Sequence, residues 1–135
     1  MTEPFETLSL EGAPVVAAPD GSAVRPLCVV PGAGSFAHFS LAAGQVARAV
    51  VHATVQEIWY VVAGGGSMWR RSTSGSISSE DALRPGVCLT IPVGTSFQFR
   101  AGDAGLEVVA VTMPPWPVGS ATEATPVSGP WEASV

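Results

Sequence analysis

The chain has 135 residues, of which 47% are hydrophobic and 13% are charged, and its formal net charge is −5. This length suits one domain with a substantial core, and this composition excludes a disordered chain. All six basic residues are arginines, so no lysine is present for Schiff-base chemistry. A mildly acidic chain without a basic cluster predicts no binding to nucleic acid or to an anionic membrane.

The N-terminal stretch, the lengths of the apolar runs and the cysteines bear on where the protein is located in the cell. The N-terminal stretch MTEPFETLSLEGAP is acidic and lacks the apolar segment of a signal peptide. No apolar run reaches the length of a transmembrane helix, so the sequence predicts a cytoplasmic protein. Cys28 and Cys88 both lie between apolar neighbours, which predicts buried free thiols.

Three segments follow one another along the chain. Residues 1–23 form a polar arm, interrupted by proline and glycine, with one candidate edge strand at Val15 and Val16. Residues 24–113 alternate short runs of β-branched and aromatic residues with turn residues, which predicts an all-β sandwich or barrel. The proline-rich tail, residues 114–135, carries Trp116 and Trp131, so we expect it to pack across the barrel. Disorder beyond Gly119 is the alternative interpretation.

The strand boundaries follow from periodicity and from turn residues. Glycine clusters at 64–66 and 102–105 predict tight turns between strands. The predicted strands cover residues 25–30, 35–41, 45–52, 57–63, 67–71, 87–91, 97–100 and 106–112.

An ionisable pair, His52 and Glu57, lies inside a strand-forming run, GQVARAVVHATVQEIWYVVAG, at residues 44–64. Burying an imidazole or a carboxylate costs free energy unless the group is paired, hydrogen-bonded or bound to a metal. The pair is therefore the first candidate for a functional site, and a structural hydrogen-bonded pair is the alternative.

The spacing around this pair resembles the first motif of single-domain cupins. That motif is a Gly, five residues, a His, one residue, a second His, three or four residues, a Glu, six residues and a Gly. In this chain the matching residues are Gly44, His52, Glu57 and Gly64. The second cupin motif is matched by Gly86, Pro92 and Gly94. The resemblance implies a double-stranded β-helix, or jelly-roll, cupin barrel, and it implies a homodimer.

The resemblance also raises the question of a metal. Cupins typically hold Fe, Mn, Zn or Ni with three histidines and one glutamate. Here the first-motif histidine is Val50, the second-motif histidine is Phe97 and the following asparagine is Ala101. Only His52 and Glu57 match, and a metal site generally needs three protein ligands. A metal would therefore require a further donor, for which His38 and Gln98 are the candidates.

Alternation along the strands predicts which side chains surround the pair. The predicted pocket is largely apolar, as small-molecule sites usually are. Its residues are Arg48, Val50, Trp59, Val61, Phe97, Phe99 and His38.

Three functions fit this pattern. The first is a bacterial enzyme of secondary metabolism in which His52 and Glu57 act as an acid–base pair for isomerisation, dehydration or cyclisation. The second is a metal-dependent cupin oxygenase with a reduced ligand set. The third is a module that binds a small molecule without changing it.

Overall fold

The protein folds as one curled antiparallel β-sheet. The structure, a computed structural model, describes residues 4–135, which contain nine strands. The strands are β1 (Val16–Ala17), β2 (Ala23–Val30), β3 (Gly34–Leu41), β4 (Val50–His52), β5 (Gln56–Arg71), β6 (Ser78–Leu83), β7 (Cys88–Ile91), β8 (Ser96–Met113) and β9 (Ala124–Pro126). The predicted all-β jelly-roll fold is confirmed. Within residues 4–135, no helix has the length and apolarity that a membrane span requires.

Strand β8 organises the sheet because it pairs with three other strands. It pairs with β5 over residues 96–101 and 106–113, with β3 over residues 106–112 and with β4 at residues 96–97. Strand β2 continues the sheet beyond β3, and β9 from the tail pairs with β4. Val50 and His52 of β4 and Glu57 and Trp59 of β5 are buried, so these side chains face the inside of the curl.

The turns predicted at the two glycine clusters are wrong. Strand β5 continues through residues 64–66 and β8 continues through residues 102–105, with shifts of register between the two strands near Gly64 and Gly66. A Cβ at Gly64 would overlap the carbonyl oxygen of Gly105, and one at Gly66 would overlap that of Arg100. The glycines therefore allow two long, bent strands to approach closely, which is a different use of the same residue type.

The interior of the curl holds the main apolar core, in which Trp59, Phe97, Phe99 and Met68 are the largest buried side chains. The prediction that both thiols are buried is wrong, because Cys28 is only half-buried and Cys88, which pairs with Tyr60 on the outer face of the sheet, is exposed.

Candidate functional site

A cavity of about 390 Å³ lies between the concave side of the sheet, the segment around β1 and the start of the tail. Most of its wall is apolar, with contributions from β2, β3 and residues 116–120. Its polar lining residues are Asp20, Ser35, His52, Glu57, Thr112 and Ser120. A few converging polar groups in an apolar wall are the usual composition of a small-molecule site.

His52 and Glu57 meet in this cavity. They stand at the end of β4 and near the start of β5, and only 6% and 4% of their surfaces are exposed. His52 Nδ1 lies 3.2 Å from Glu57 Oε2, and the indole Nε1 of Trp59 donates a hydrogen bond to Glu57 Oε1 at 3.1 Å. The contact at Nδ1 is not aligned as a hydrogen bond, so this buried nitrogen has no hydrogen-bond partner among the described residues. Such buried polar atoms are uncommon, and a catalytic role is one of the explanations for them.

Aromatic rings fix the orientation of the His52 imidazole. The ring of Phe97 contacts it edge-on at a centroid distance of 5.2 Å, and the ring of Trp116 does so at 5.0 Å. The backbone amide of Trp116 donates a hydrogen bond to Ser35 Oγ at 3.0 Å, which ties the start of the tail to β3. The imidazole is thus held between a core ring and a tail ring.

Of the predicted pocket residues, Trp59 lines the cavity together with His52 and Glu57. The other apolar members, Val50, Val61, Phe97 and Phe99, are buried in the core and do not line it. They face inward as alternation predicted, but Phe97 and Phe99 pack edge-on against Trp59 and fill the space behind it.

Arg48 does not line the cavity either. Its side chain is exposed, and Nε donates a hydrogen bond to the carbonyl oxygen of Val135 at 2.9 Å. Residues 45–49 belong to no strand of the structure, because only the last three residues of the predicted strand 45–52 form β4. The alternation that would have turned Arg48 inward is therefore absent.

His38 points away from the cavity. It lies on β3 between Ala37 and Phe39, both of which line the cavity, and its Nε2 is 3.1 Å from Oε1 of Glu107. This pair borders a second, shallower hollow on the outer face of the sheet. His38 therefore cannot join His52 around one ion.

The side chain of Gln98 is already hydrogen-bonded to other parts of the chain. Its Nε2 donates hydrogen bonds to the carbonyl oxygens of Ala47 and Trp131, at 2.9 Å and 2.8 Å. Its Oε1 accepts a hydrogen bond from the Trp131 amide at 3.1 Å. The side chain anchors the tail and has no oxygen free for a metal.

The donors of this cavity do not fit the metal that the cupin motif implies. Val50 and Phe97 carry no donor atoms, and both further candidates, His38 and Gln98, are turned away or occupied. Residues 4–135 contain no group of three His, Cys, Asp or Glu side chains arranged to hold a metal ion. We therefore derive no step through a metal.

Asp20, which the sequence analysis did not single out, also lines the cavity and is 6% exposed. Its Oδ1 accepts hydrogen bonds from the backbone amide and the hydroxyl of Ser22, at 2.9 Å and 2.6 Å. Burial raises the pKa of Asp20, against the opposing effect of the Ser22 hydrogen bonds, and the nearby charge of Glu57 raises it further. The Pro19-Asp20-Gly21 triplet indicates only a turn, so no sequence signal marked it.

Glu123, in the tail, was missed as well. It is 4% exposed, and its Oε2 accepts hydrogen bonds from the amides of Thr54 and Val55, at 2.9 Å and 3.1 Å. Its Oε1 accepts a hydrogen bond from the Thr54 hydroxyl. Burial raises the pKa of Glu123, but these hydrogen bonds outweigh it and the net pKa is lowered. Glu123 thereby fixes the turn that joins His52 to Glu57.

Comparisons with solved structures show the cupin fold. A variant of Streptomyces PAC13 with uridine is 16% identical, with a TM-score of 0.71 over 94% of this chain and 92% of that chain. Oxalate decarboxylase from Bacillus subtilis is 17% identical, with a TM-score of 0.73 over 89% of this chain and 31% of that chain. CapF, a capsular polysaccharide assembling protein from Staphylococcus aureus, is 17% identical, with a TM-score of 0.69 over 83% of this chain and 34% of that chain.

The chain thus spans about a third of the length of the oxalate decarboxylase and of CapF, and nearly the whole of PAC13. No protein-family model and no curated protein sequence matches it. At these identities the structural likeness establishes the fold, as the motif spacing predicted.

Proposed function

We propose that this protein is a cupin enzyme that binds a small molecule in the apolar cavity and moves a proton on it with His52 and Glu57. The observation that carries the proposal is that two buried ionisable groups, in contact with each other, line a mostly apolar cavity of about 390 Å³. The reaction classes that such a pair serves are isomerisation, dehydration and cyclisation.

The geometry supports different roles for the two residues. Glu57 faces Nδ1 of His52, so it favours the tautomer with a proton on Nδ1 and leaves Nε2 as the ring nitrogen for a ligand. In that arrangement Nε2 takes a proton from the substrate, and Glu57 stabilises the imidazolium that forms. The imperfect alignment at Nδ1 is compatible with this role, because catalytic hydrogen bonds often tighten only when substrate is bound.

Two further observations support a small-molecule ligand. The cavity lies within the range of typical ligand sites, about 300–1,000 Å³. One structural neighbour, the PAC13 variant that matches this chain over nearly its whole length, is a complex with uridine, a ligand of a size that suits such a cavity.

A module that binds a ligand without changing it is the second candidate, because the same cavity supports it. The two functions differ in what Glu57 must do. An acid–base enzyme needs its carboxylate, whereas a binding module needs only its shape.

The test is proton exchange on candidate ligands in D₂O, followed by NMR for a panel of nucleosides and small carbonyl compounds. Glu57→Gln keeps the shape but removes the carboxylate that stabilises the His52 imidazolium, so we expect the exchange rate to fall by about 10²–10⁴-fold. Glu107→Gln is the matched control, since it makes the same change beside the other histidine, on the outer face, and should leave the rate unchanged. An unchanged rate in Glu57→Gln would end the enzyme proposal, and ligand binding without any exchange would favour the binding module.

A further inference from the structure

We propose that the cavity selects uncharged ligands and rejects anions, and that Asp20 is a residue that sets this selectivity. The inference rests on the proposed function in one respect, namely that the cavity is the ligand site. It adds the chemical class of the ligand, which the motif pattern does not indicate.

The charge of the cavity wall disfavours an anionic ligand. Its ionisable lining residues are Asp20, His52 and Glu57. While Glu57 is ionised, no protonation state of the other two gives these three groups a net positive charge. A phosphate, sulfate or carboxylate would therefore enter a wall that carries neutral or negative charge.

The arginines, which are the side chains that pair best with such anions, lie away from the cavity. None of them lines the cavity. Arg25 and Arg48 donate hydrogen bonds to backbone carbonyl oxygens. Arg70 pairs with Asp81. Arg71 and Arg100 lie over tryptophan rings, and Arg84 is exposed. Since the chain has no lysine, no positively charged side chain other than His52 remains for an anion.

Asp20 is held in place by hydrogen bonds. Besides the two hydrogen bonds from Ser22 to its Oδ1, its backbone carbonyl oxygen accepts a hydrogen bond from the Arg48 amide at 2.8 Å. The carboxyl group cannot turn to solvent without breaking these contacts. While Asp20 is ionised, an anion beside it in an apolar wall is repelled more strongly than it would be in water.

The ligand of the cavity is therefore an uncharged molecule with an apolar body and hydroxyl or N–H groups. Such groups can donate hydrogen bonds to the carboxylate oxygens of Asp20 and Glu57, whereas an anion brings further acceptors. A nucleoside belongs to this class, and the corresponding nucleotide does not.

The test uses two fluorescent probes with the same skeleton. N-phenyl-1-naphthylamine is uncharged, and 8-anilino-1-naphthalenesulfonate adds one sulfonate. Titration at pH 8 should show the uncharged probe binding at least about tenfold more tightly. Asp20→Asn keeps the oxygen that accepts from Ser22 and removes the charge, so it should tighten the anionic probe several-fold and leave the uncharged probe unchanged. Asp103→Asn, an exposed site, is the matched control and should change neither.

Three results would overturn the inference: equal or tighter binding of the anionic probe, an unchanged preference in Asp20→Asn, or no binding of the uncharged probe. Each of these is a binding result and is independent of turnover. Failure of the acid–base proposal would instead appear as full activity in Glu57→Gln. The two proposals can therefore fail separately.

Discussion

The two histidines of this chain each lie about one hydrogen-bond length from a glutamate, yet their surroundings differ. His52 Nδ1 is 3.2 Å from Glu57, and the two side chains are 6% and 4% exposed. His38 Nε2 is 3.1 Å from Glu107, and those side chains are 11% and 49% exposed. We call them the cavity pair and the outer pair. Both pairs consist of an imidazole and a carboxylate, but they differ in the ring nitrogen that faces the carboxylate and in their environment.

The two pairs differ in their access to solvent and in their contacts with the C-terminal tail. The carboxylate of the outer pair reaches water, which screens the interaction. The cavity pair lies in an apolar wall, where electrostatic interactions are stronger and water is limited. The cavity pair also depends on the tail, because Glu123 fixes the turn between its members and β9 pairs with β4.

The largest expected effect on stability follows removal of the tail anchor. Gln98→Ala leaves the carbonyl oxygens of Ala47 and Trp131 and the Trp131 amide without their partner and creates a cavity. We expect a loss of about 2–4 kcal/mol in the free energy of unfolding, measured by urea denaturation. The histidine NMR signals should shift for His52 and stay in place for His38.

Glu132→Gln is the control for this variant, because it changes an exposed residue of the same tail. It should leave the free energy of unfolding within about 0.5 kcal/mol of the wild-type value. A Gln98→Ala protein as stable as this control would show that Gln98 does not anchor the tail.

A smaller loss is expected for Glu123→Gln, about 1–3 kcal/mol at neutral pH, because an amide cannot accept all the hydrogen bonds of the carboxylate. The pKa of Glu123 is lowered in the folded state. Its contribution is therefore complete above the unfolded-state pKa, about 4.3, and is lost as the pH falls through the lower folded-state pKa. Urea denaturation from neutral to acidic pH should show the difference between wild type and variant shrinking in acid, and a difference that grows there would contradict this sign.

The smallest effect is expected at the outer pair. Glu107→Gln should cost about 1 kcal/mol or less, because half of the carboxylate surface is exposed and solvent screens the pair. Added salt should reduce the difference from wild type still further in the same denaturation measurement. A cost well above about 1 kcal/mol, or one that added salt does not reduce, would mean that solvent does not screen the outer pair.

The sequence predicted the fold because strand patterns and motif spacing are local. It placed Trp59 correctly beside the His52–Glu57 pair, since residues two apart on a strand share a face. It failed where a side chain meets a distant part of the chain. Asp20 and Glu123 reach the site from the N-terminal loop and the tail, and nothing in their neighbouring residues indicates this.

The wrong prediction of turns at the two glycine clusters has the same cause. These glycines allow β5 and β8 to approach closely, and the two strands are far apart in sequence. The homodimer and the cytoplasmic location stay predictions.

The most direct test of the claim that the cavity pair is the working site uses the fact that the chain has two histidines. A ¹H–¹³C NMR spectrum of untagged protein labelled at histidine Cε1 should show one signal from each, assigned with His52→Gln. During titration with N-phenyl-1-naphthylamine, we predict a saturable shift of the His52 signal and none of the His38 signal. Probe binding that shifts only His38, or that leaves both signals unchanged, would contradict the account.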